Sequence, residues 1–231
     1  MKFGVLIFPG SNCDHDVLEA CRLATGVEAV PLWHKDHDLK GAEFIVIPGG
    51  FSYGDYLRCG AIARFSPIMR EVVEFAQRGG PVLGICNGFQ ILCEAGLLPG
   101  ALVRNKNLQF LCQQVYLRAD SARGPIMAGL KPGEILKMPI AHGDGNFICD
   151  DAQLKRLQDN QQIAFRYTTR EGALTDAANP NGSRDAIAGI INEGGNVLGL
   201  MPHPDRAVDA ALGSADGLKL FIAAARMAVA A

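Results

Sequence analysis

The chain has 231 residues, of which 48% are hydrophobic and 20% charged, and its formal net charge at pH 7 is −2. These values are typical of a globular protein and lack the excess of positive charge that marks nucleic-acid-binding proteins. An α/β domain reaches about 250 residues and no linker is visible, so we expect a single domain over residues 1–231.

The sequence shows neither a membrane span nor an export signal. Its longest apolar stretches are far shorter than the ~20 residues that cross a bilayer, and the N-terminus lacks the long apolar region of a signal peptide. The seven cysteines are an odd number without a C-x-x-C pair, which argues against a disulfide framework and a zinc site. We therefore expect a cytoplasmic protein that binds no membrane, no nucleic acid and no metal.

The first half of the chain alternates strand-like and helical segments. Runs rich in Val, Ile and Leu lie at residues 3–8, 27–33, 44–47 and 82–85, and helical periodicity is present at 14–25, 67–78 and 87–95. Such alternation is typical of βαβ units, in which helices cover both faces of a parallel sheet. We predict an α/β fold with a mostly parallel central sheet.

The second half has a different pattern. Residues 113–118, 135–140, 163–168, 186–192 and 197–201 are strand-like, with few helices between them. This pattern predicts antiparallel additions to the sheet edge, or a small second sheet. The Ala-rich residues 215–230 carry apolar side chains at helical spacing after Ser214, a suitable N-cap, and predict a final helix.

The sharpest local signal is Gly84-Ile85-Cys86-Asn87-Gly88, between a predicted strand and a predicted helix. It has the form of a nucleophile elbow, with Cys where hydrolases carry Ser. The glycines leave room for a sharp turn, which would place Cys86 at a helix N-terminus, where the dipole favours the reactive thiolate. The alternative is a buried core cysteine at a tight turn. The other six cysteines lack this context, and we interpret them as structural.

A thiolate nucleophile needs a proton carrier, and five histidines compete for that role. His203 follows a predicted strand in the sequence Pro202-His203-Pro204-Asp205. Proline restricts the backbone here, so the side chains of His203 and Asp205 should point to the same side, where the carboxylate could orient the imidazole as in a triad. The alternative is a surface histidine in a Pro-rich turn, beside a solvated carboxylate.

The remaining histidines are weaker candidates. His142 lies in a Gly-rich loop after a predicted strand, which indicates a place beside the site rather than in the chemistry. His15, His34 and His37 lie in polar stretches, and we expect them to be solvated.

Two backbone N–H groups are candidates for an oxyanion hole. Gly50 follows the predicted strand 44–47 with its N–H free of side-chain obstruction, and Asn87 follows Cys86. A simple glycine turn is the alternative for Gly50. The sequence contains neither G-x-x-x-x-G-K-[ST] nor G-x-G-x-x-G, so we expect no nucleotide cofactor in this chain.

Together these motifs resemble the class I, or triad-type, glutamine amidotransferases. The elbow at residues 84–88 precedes the His-Pro-acid motif at 203–205, as it does in that class. More narrowly, the chain is similar to the family of glutaminase subunits of phosphoribosylformylglycinamidine synthase. The run GFSYGDY at residues 50–56 is far more specific than the elbow. The segments that carry the narrower match are residues 48–58, 84–92, 139–147, 179–183 and 201–207.

The resemblance implies a flavodoxin-like α/β fold and an enzyme that hydrolyses L-glutamine to glutamate and ammonia. By position, Cys86 corresponds to the nucleophile, His203 to the general base and acid, and Asp205 to the acidic residue, with Gly50 and Asn87 in the oxyanion hole. The family usually carries Glu where this chain has Asp205. The acid at residue 144 is likewise shortened from the Glu that we expect there.

The resemblance also implies partners. A synthetase subunit would hold ATP and Mg²⁺ and use the ammonia to convert formylglycinamide ribonucleotide to the amidine in purine biosynthesis, often with a small third subunit. One alternative is a glutaminase subunit of another synthase, and a second is a stand-alone cysteine-dependent γ-glutamyl hydrolase. A third is a non-catalytic homologue that only binds its synthetase.

Overall fold

The computed structural model describes residues 1–226 of the chain. These residues form two sheets and five α-helices. The strands are β1 (Phe3–Ile7), β2 (Val30–Trp33), β3 (Phe44–Ile47), β4 (Val82–Ile85), β5 (Ala101–Val103), β6 (Leu111–Ala119), β7 (Ile135–His142), β8 (Asn146–Ile148), β9 (Ile163–Thr168), β10 (Ile187–Ile191) and β11 (Val197–Leu200). The helices are α1 (Asp14–Thr25), α2 (Pro67–Gln77), α3 (Asn87–Glu94), α4 (Asp151–Asp159) and α5 (Leu218–Arg226).

The main sheet has nine strands in the order β2-β1-β3-β4-β11-β10-β9-β6-β7. The neighbours from β2 to β11 pair in parallel, and those from β11 to β7 pair antiparallel. The two remaining strands, β5 and β8, form a small antiparallel sheet. Both arrangements that the sequence left open for the second half are therefore present together.

Helices lie on both faces of the parallel part of the main sheet. The chain moves from β1 to β2 through α1 and in the opposite direction from β3 to β4 through α2. Since such crossovers are right-handed, α1 and α2 cover opposite faces. Every residue of β3, β4, β10 and β11 is buried, as expected for strands covered on both sides. The predicted α/β class and mostly parallel sheet are confirmed.

The structure corrects several predicted boundaries. Strand β2 begins at Val30 rather than at residue 27, because Gly26 ends α1 in a left-handed conformation and Val27 is exposed. Helix α4 was not predicted; the Asp150 side chain caps it by accepting a hydrogen bond from the Gln153 N–H at 2.7 Å.

The predicted N-cap of the final helix is also wrong. The hydroxyl of Ser214 accepts a hydrogen bond from the Asp216 N–H at 3.1 Å, within the turn before α5, and the helix begins at Leu218. The part of the predicted helix beyond Arg226 lies outside the described residues. Within residues 1–226, no helix combines the length and the hydropathy that a membrane span requires.

Candidate active site

Cys86 lies in a strained turn between β4 and α3. Its backbone has φ 51° and ψ −105°, a conformation that residues with a side chain rarely adopt and that costs on the order of 1–3 kcal/mol. The Cys86 N–H donates to the carbonyl of Leu200 at 2.8 Å, which ties the turn to the end of β11. This geometry presents the thiol at the N-terminus of α3, as the elbow motif predicts.

Two glycines make that turn possible. A Cβ on Gly84 would lie 2.7 Å from the carbonyl carbon of Gly88, and a Cβ on Gly88 would collide with the carbonyl oxygen of Ile47. The first turn of α3 therefore packs directly on the backbone at the end of β3. The glycine spacing of the motif is a packing requirement as well as a conformational one.

His203 and Asp205 meet beside this turn. Strand β11 pairs in parallel with β4, so the segment after it begins at the same sheet edge as Cys86. His203 Nδ1 lies 3.3 Å from Asp205 Oδ1, and both side chains are buried. A Cβ on Gly49 would lie 2.7 Å from His203 Cε1 and 3.4 Å from the Cys86 Cβ, so Gly49 lets the two side chains converge. The alternative of a surface histidine with a solvated acid is wrong.

The charges around His203 favour its protonated form. Burial alone would lower the pKa of His203, but the charges of Asp205 and of a Cys86 thiolate raise that pKa well above its usual range. Hydrogen bonds to Asp205 and Cys13 act in the same direction. The surroundings therefore favour an imidazolium at His203.

Cys86 opens onto a cavity of about 350 Å³, which is large enough for an amino-acid side chain and its backbone. Hydrogen bonds of side-chain amides connect the segments that line the cavity. Asn87 accepts the Ser52 N–H at 3.1 Å and donates to Gln90 Oε1 at 2.9 Å. Gln90 in turn donates to the carbonyl of Asp144 at 2.6 Å. Residues lining the cavity include Gly50, Asp55, Cys86, Gln90, His142 and Asp144.

The two oxyanion-hole candidates flank Cys86. Gly50 lines the cavity with φ 138°, and a Cβ there would lie 2.8 Å from the backbone nitrogen of Asn12, so the close approach requires glycine. Asn87 is the first residue of α3, and its N–H has no carbonyl one turn earlier in the helix to bond. Gly50 thus lines the same cavity as Cys86, and Asn87 follows Cys86 at the start of α3; the role of their N–H groups stays a prediction.

The structure corrects the prediction for one histidine. His34, expected to be solvated, is buried; its Nδ1 lies 2.6 Å from the Tyr53 hydroxyl, which also contacts Ser66 at 2.8 Å. That prediction is wrong because residues distant in sequence enclose His34. His15 and His37 are exposed, as predicted.

His142, placed beside the site by the sequence, does line the cavity with Cys86. Its Nδ1 lies 3.1 Å from Oδ1 of Asn105, a fully buried residue that sequence reasoning did not identify. Asn105 stands in a polar stretch without a recognisable motif, so only the tertiary structure reveals it. Gln90, one turn after Cys86, was also missed.

Cys13, interpreted as structural, lies close to the His203–Asp205 pair. Ligand atoms of the three residues lie within 4.8 Å of one another. Among residues 1–226, these three residues are the one group that could hold a metal ion. The guanidinium of Arg206 donates to the Cys13 sulfur at 3.1 Å, and this cation disfavours a second positive charge there. The expectation that the chain holds no metal stays a prediction.

Comparisons with known proteins show the family of this chain. Residues 1–217 match the model of the CobB/CobQ-like glutamine amidotransferase domain. The chain belongs to the glutamine amidotransferase family. This result confirms the resemblance inferred from the sequence and makes the protein an amidotransferase with the flavodoxin-like fold of its class.

Close relatives of this amidotransferase share one name. It is 56% identical over 221 residues to the phosphoribosylformylglycinamidine synthase subunit PurQ of Koribacter versatilis, covering 96% of each chain. It is 59% identical over 218 residues to the subunit of that name from Chlorobium chlorochromatii, covering 94% of this chain and 93% of the relative.

Solved structures extend the comparison. The amidotransferase matches a chain of the PurLQS structure from Thermotoga maritima with TM-score 0.82 and 41% identity, over 96% of both chains. The glutaminase domain of the Trypanosoma brucei CTPS matches with TM-score 0.61 at 13% identity, a likeness that shows the shared fold alone.

Proposed function

We infer that this amidotransferase is the glutaminase subunit of phosphoribosylformylglycinamidine synthase, with Cys86 as its nucleophile. The main support for cysteine-dependent hydrolysis is that the strained Cys86 turn and the buried His203–Asp205 pair lie together at one sheet edge. The full-length identity to subunits of that synthase supports the choice of reaction.

The first half-reaction begins when the Cys86 thiolate attacks the side-chain amide carbon of glutamine. The amide oxygen becomes an oxyanion, which the N–H groups of Gly50 and Asn87 stabilise. The His203 imidazolium, favoured by the Asp205 charge, donates a proton to the leaving nitrogen. The carbon–nitrogen bond breaks, ammonia leaves, and a γ-glutamyl thioester remains on Cys86.

The second half-reaction hydrolyses this thioester. His203, now neutral, takes a proton from water as the oxygen attacks the thioester carbon. The carbon–sulfur bond breaks, glutamate leaves, and the thiolate–imidazolium pair returns. Glutamine and water are thus converted to glutamate and ammonia without any cofactor in this chain.

The ammonia must reach an acceptor before water protonates and dilutes it, so the mouth of the cavity should face the synthetase. Three side chains that line the cavity, Phe51, Leu57 and Phe110, are 46%, 91% and 55% exposed. Large apolar side chains exposed around one opening are typical of a protein-binding surface. We define them as the apolar rim, and the synthetase subunit docks on it.

The synthetase partner holds ATP and Mg²⁺ in this proposal, and the complex includes a small third subunit. The match to PurLQS supports assembly with a synthetase. The amidination of formylglycinamide ribonucleotide then takes place on the partner, with the ammonia that Cys86 chemistry releases.

Replacing Cys86 tests the proposal. In the reconstituted complex, Cys86→Ala should abolish amidination driven by glutamine and spare amidination driven by ammonium salts, since the synthetase needs only ammonia. The matched control is Cys112→Ala, at an exposed cysteine, which should keep both activities. Persistent glutamine-driven amidination in Cys86→Ala would contradict the assignment. Equal glutamine hydrolysis by the isolated chain and by the complex would favour a stand-alone hydrolase.

A further inference from the structure

One nitrogen of a buried imidazole beside Cys86 has no partner. His142 ends β7, lines the same cavity as Cys86 and is 3% exposed. Its Nδ1 contacts Asn105, but its Nε2 has no hydrogen-bond partner among the described residues. The large majority of buried polar atoms are paired, so an unpaired one on a residue that lines the substrate cavity calls for an explanation.

The neighbours of Asn105 fix which nitrogen of His142 carries the proton. The Asn105 amide nitrogen donates to the carbonyls of His142 and Gln109, at 2.8 and 2.9 Å. Its oxygen is therefore the atom that faces His142, and it already accepts the Gly145 N–H at 2.9 Å. The Nδ1 of His142 must donate to that oxygen, so the proton is on Nδ1 and Nε2 carries a lone pair.

The imidazole of His142 stays neutral at physiological pH. Burial lowers the pKa of His142 to about 4, and repulsion from a protonated His203 contributes. Asp144, two residues along, forms an ion pair with Arg104 at 3.2 Å, and this cation offsets its charge. The Nε2 atom is therefore a hydrogen-bond acceptor and has no proton to give.

Apart from the Cys86 sulfur, the catalytic groups around the scissile amide are donors. The oxyanion hole consists of N–H groups, and the protonated His203 presents an N–H as well. The nitrogen of the glutamine carboxamide carries two N–H groups that need acceptors. The Cys86 sulfur lies 3.8 Å from the carbonyl of Ala141, so a glutamine attached to Cys86 sits next to the end of β7. Gly145 packs on the imidazole face, where a Cβ would overlap the ring, and holds it in place.

We propose that His142 is a substrate-binding residue whose Nε2 accepts an N–H from the carboxamide nitrogen of glutamine, the nitrogen that leaves as ammonia. This proposal rests on Cys86 being the nucleophile. It gives Asn105 a positioning role, since Asn105 fixes the tautomer that makes Nε2 an acceptor. Because Nε2 carries no proton, His142 also does not protonate the departing ammonia.

The test compares two substrates of one site. L-Glutamate γ-methyl ester reacts at the same carbon as glutamine but its leaving group has no N–H. In the complex with the synthetase, His142→Leu should lower kcat/KM for glutamine roughly tenfold to a hundredfold and leave ester hydrolysis nearly unchanged. His142→Gln, which retains an acceptor oxygen, should recover part of the loss on glutamine. His37→Leu, at an exposed histidine, is the control and should keep both activities.

Equal losses on the ester and on glutamine would overturn the proposal, because they would indicate a structural role, and so would an unchanged rate with glutamine. If Cys86→Ala hydrolyses either substrate, the nucleophile assignment itself has failed. Nitrogen-15 NMR of histidine-labelled complex carrying Cys86→Ala provides a measurement with His142 intact. Glutamine should shift the Nε2 resonance of His142 and the ester should not; a resonance that glutamine leaves unmoved also overturns the proposal.

Discussion

At the scale of single residues, the protonation and orientation of the His203 imidazole depend on Asp205. Its Oδ1 lies 3.3 Å from His203 Nδ1, and its negative charge is the largest favourable influence that raises the pKa of His203 against burial. Asp205 is also one methylene shorter than the Glu that the family usually carries, so the backbone must bring it close. The short 3₁₀ helix Pro204–Arg206 that follows His203 does this.

We predict that Asp205→Ala lowers kcat for glutamine by about 10²- to 10⁴-fold, because His203 loses both its orientation and its stabilising charge. Asp205→Glu should retain activity, since the family carries Glu at this position. Steady-state hydrolysis by the complex measures both. An unchanged rate in Asp205→Ala would remove Asp205 from the site.

The pH profile gives a second measure of the same contact. The imidazolium of His203 is present below its folded-state pKa, which lies well above 6.5, and is lost as pH rises through that value. Asp205→Asn removes the charge that raises this pKa. The alkaline limb of kcat/KM against pH should therefore move to lower pH in the variant, and a limb that stays in place would argue against the electrostatic role.

At the scale of elements, the β4–α3 turn depends on glycine because backbone atoms occupy the space of a side chain. We predict that Gly88→Ala lowers the free energy of unfolding by about 1–3 kcal/mol, since the new Cβ collides with the Ile47 carbonyl oxygen. Glutamine hydrolysis should fall with it, because Cys86 would shift. Denaturant unfolding measures the first effect.

The matched control is Gly96→Ala, at the end of the same helix. Gly96 has φ 72° and open space around its Cα, so alanine there should cost only the left-handed backbone penalty of about 1 kcal/mol. Activity should persist in this variant. Equal losses of activity in the two variants would show that the collision with β3 is not what positions Cys86.

The strongly patterned elements could be predicted from the sequence, and the others could not. Strands β3, β4 and β9 and helix α1 have the predicted bounds, because their apolar pattern reflects burial directly. Helix α4 has one buried residue, Leu157, among mostly polar side chains, so no apolar pattern marks it in the sequence. Strands β5 and β8 have three residues each, too few for a pattern.

The same distinction applies to the site. Cys86, His203 and Asp205 follow from local motifs, in which glycine and proline set the backbone. Asn105 and the burial of His34 depend on contacts between segments distant in the chain, such as the 37 positions between Asn105 and His142. No local pattern in a single sequence encodes such contacts.

At the scale of the whole molecule, the parallel sheet brings the site together and leaves the apolar rim around its mouth. We predict that Leu57→Asp weakens binding of the synthetase roughly tenfold or more, because it places a charge in an apolar contact. The stability of the isolated chain should not change, since Leu57 is 91% exposed. Val27→Asp, 64% exposed and away from the cavity, is the control. Calorimetric titration measures both, and equal affinities would place the synthetase elsewhere.

Labelling with an electrophilic glutamine analogue tests most directly whether Cys86 is the nucleophile. The complex is treated with the analogue, with and without excess glutamine, and the adducts are mapped by mass spectrometry. Seven cysteines compete, including Cys13 beside His203 and the exposed Cys112. We predict a single adduct on Cys86 that glutamine suppresses and that Cys86→Ala does not form. An adduct on Cys13, a spread over several cysteines, or labelling of Cys86 that glutamine does not suppress would contradict the assignment.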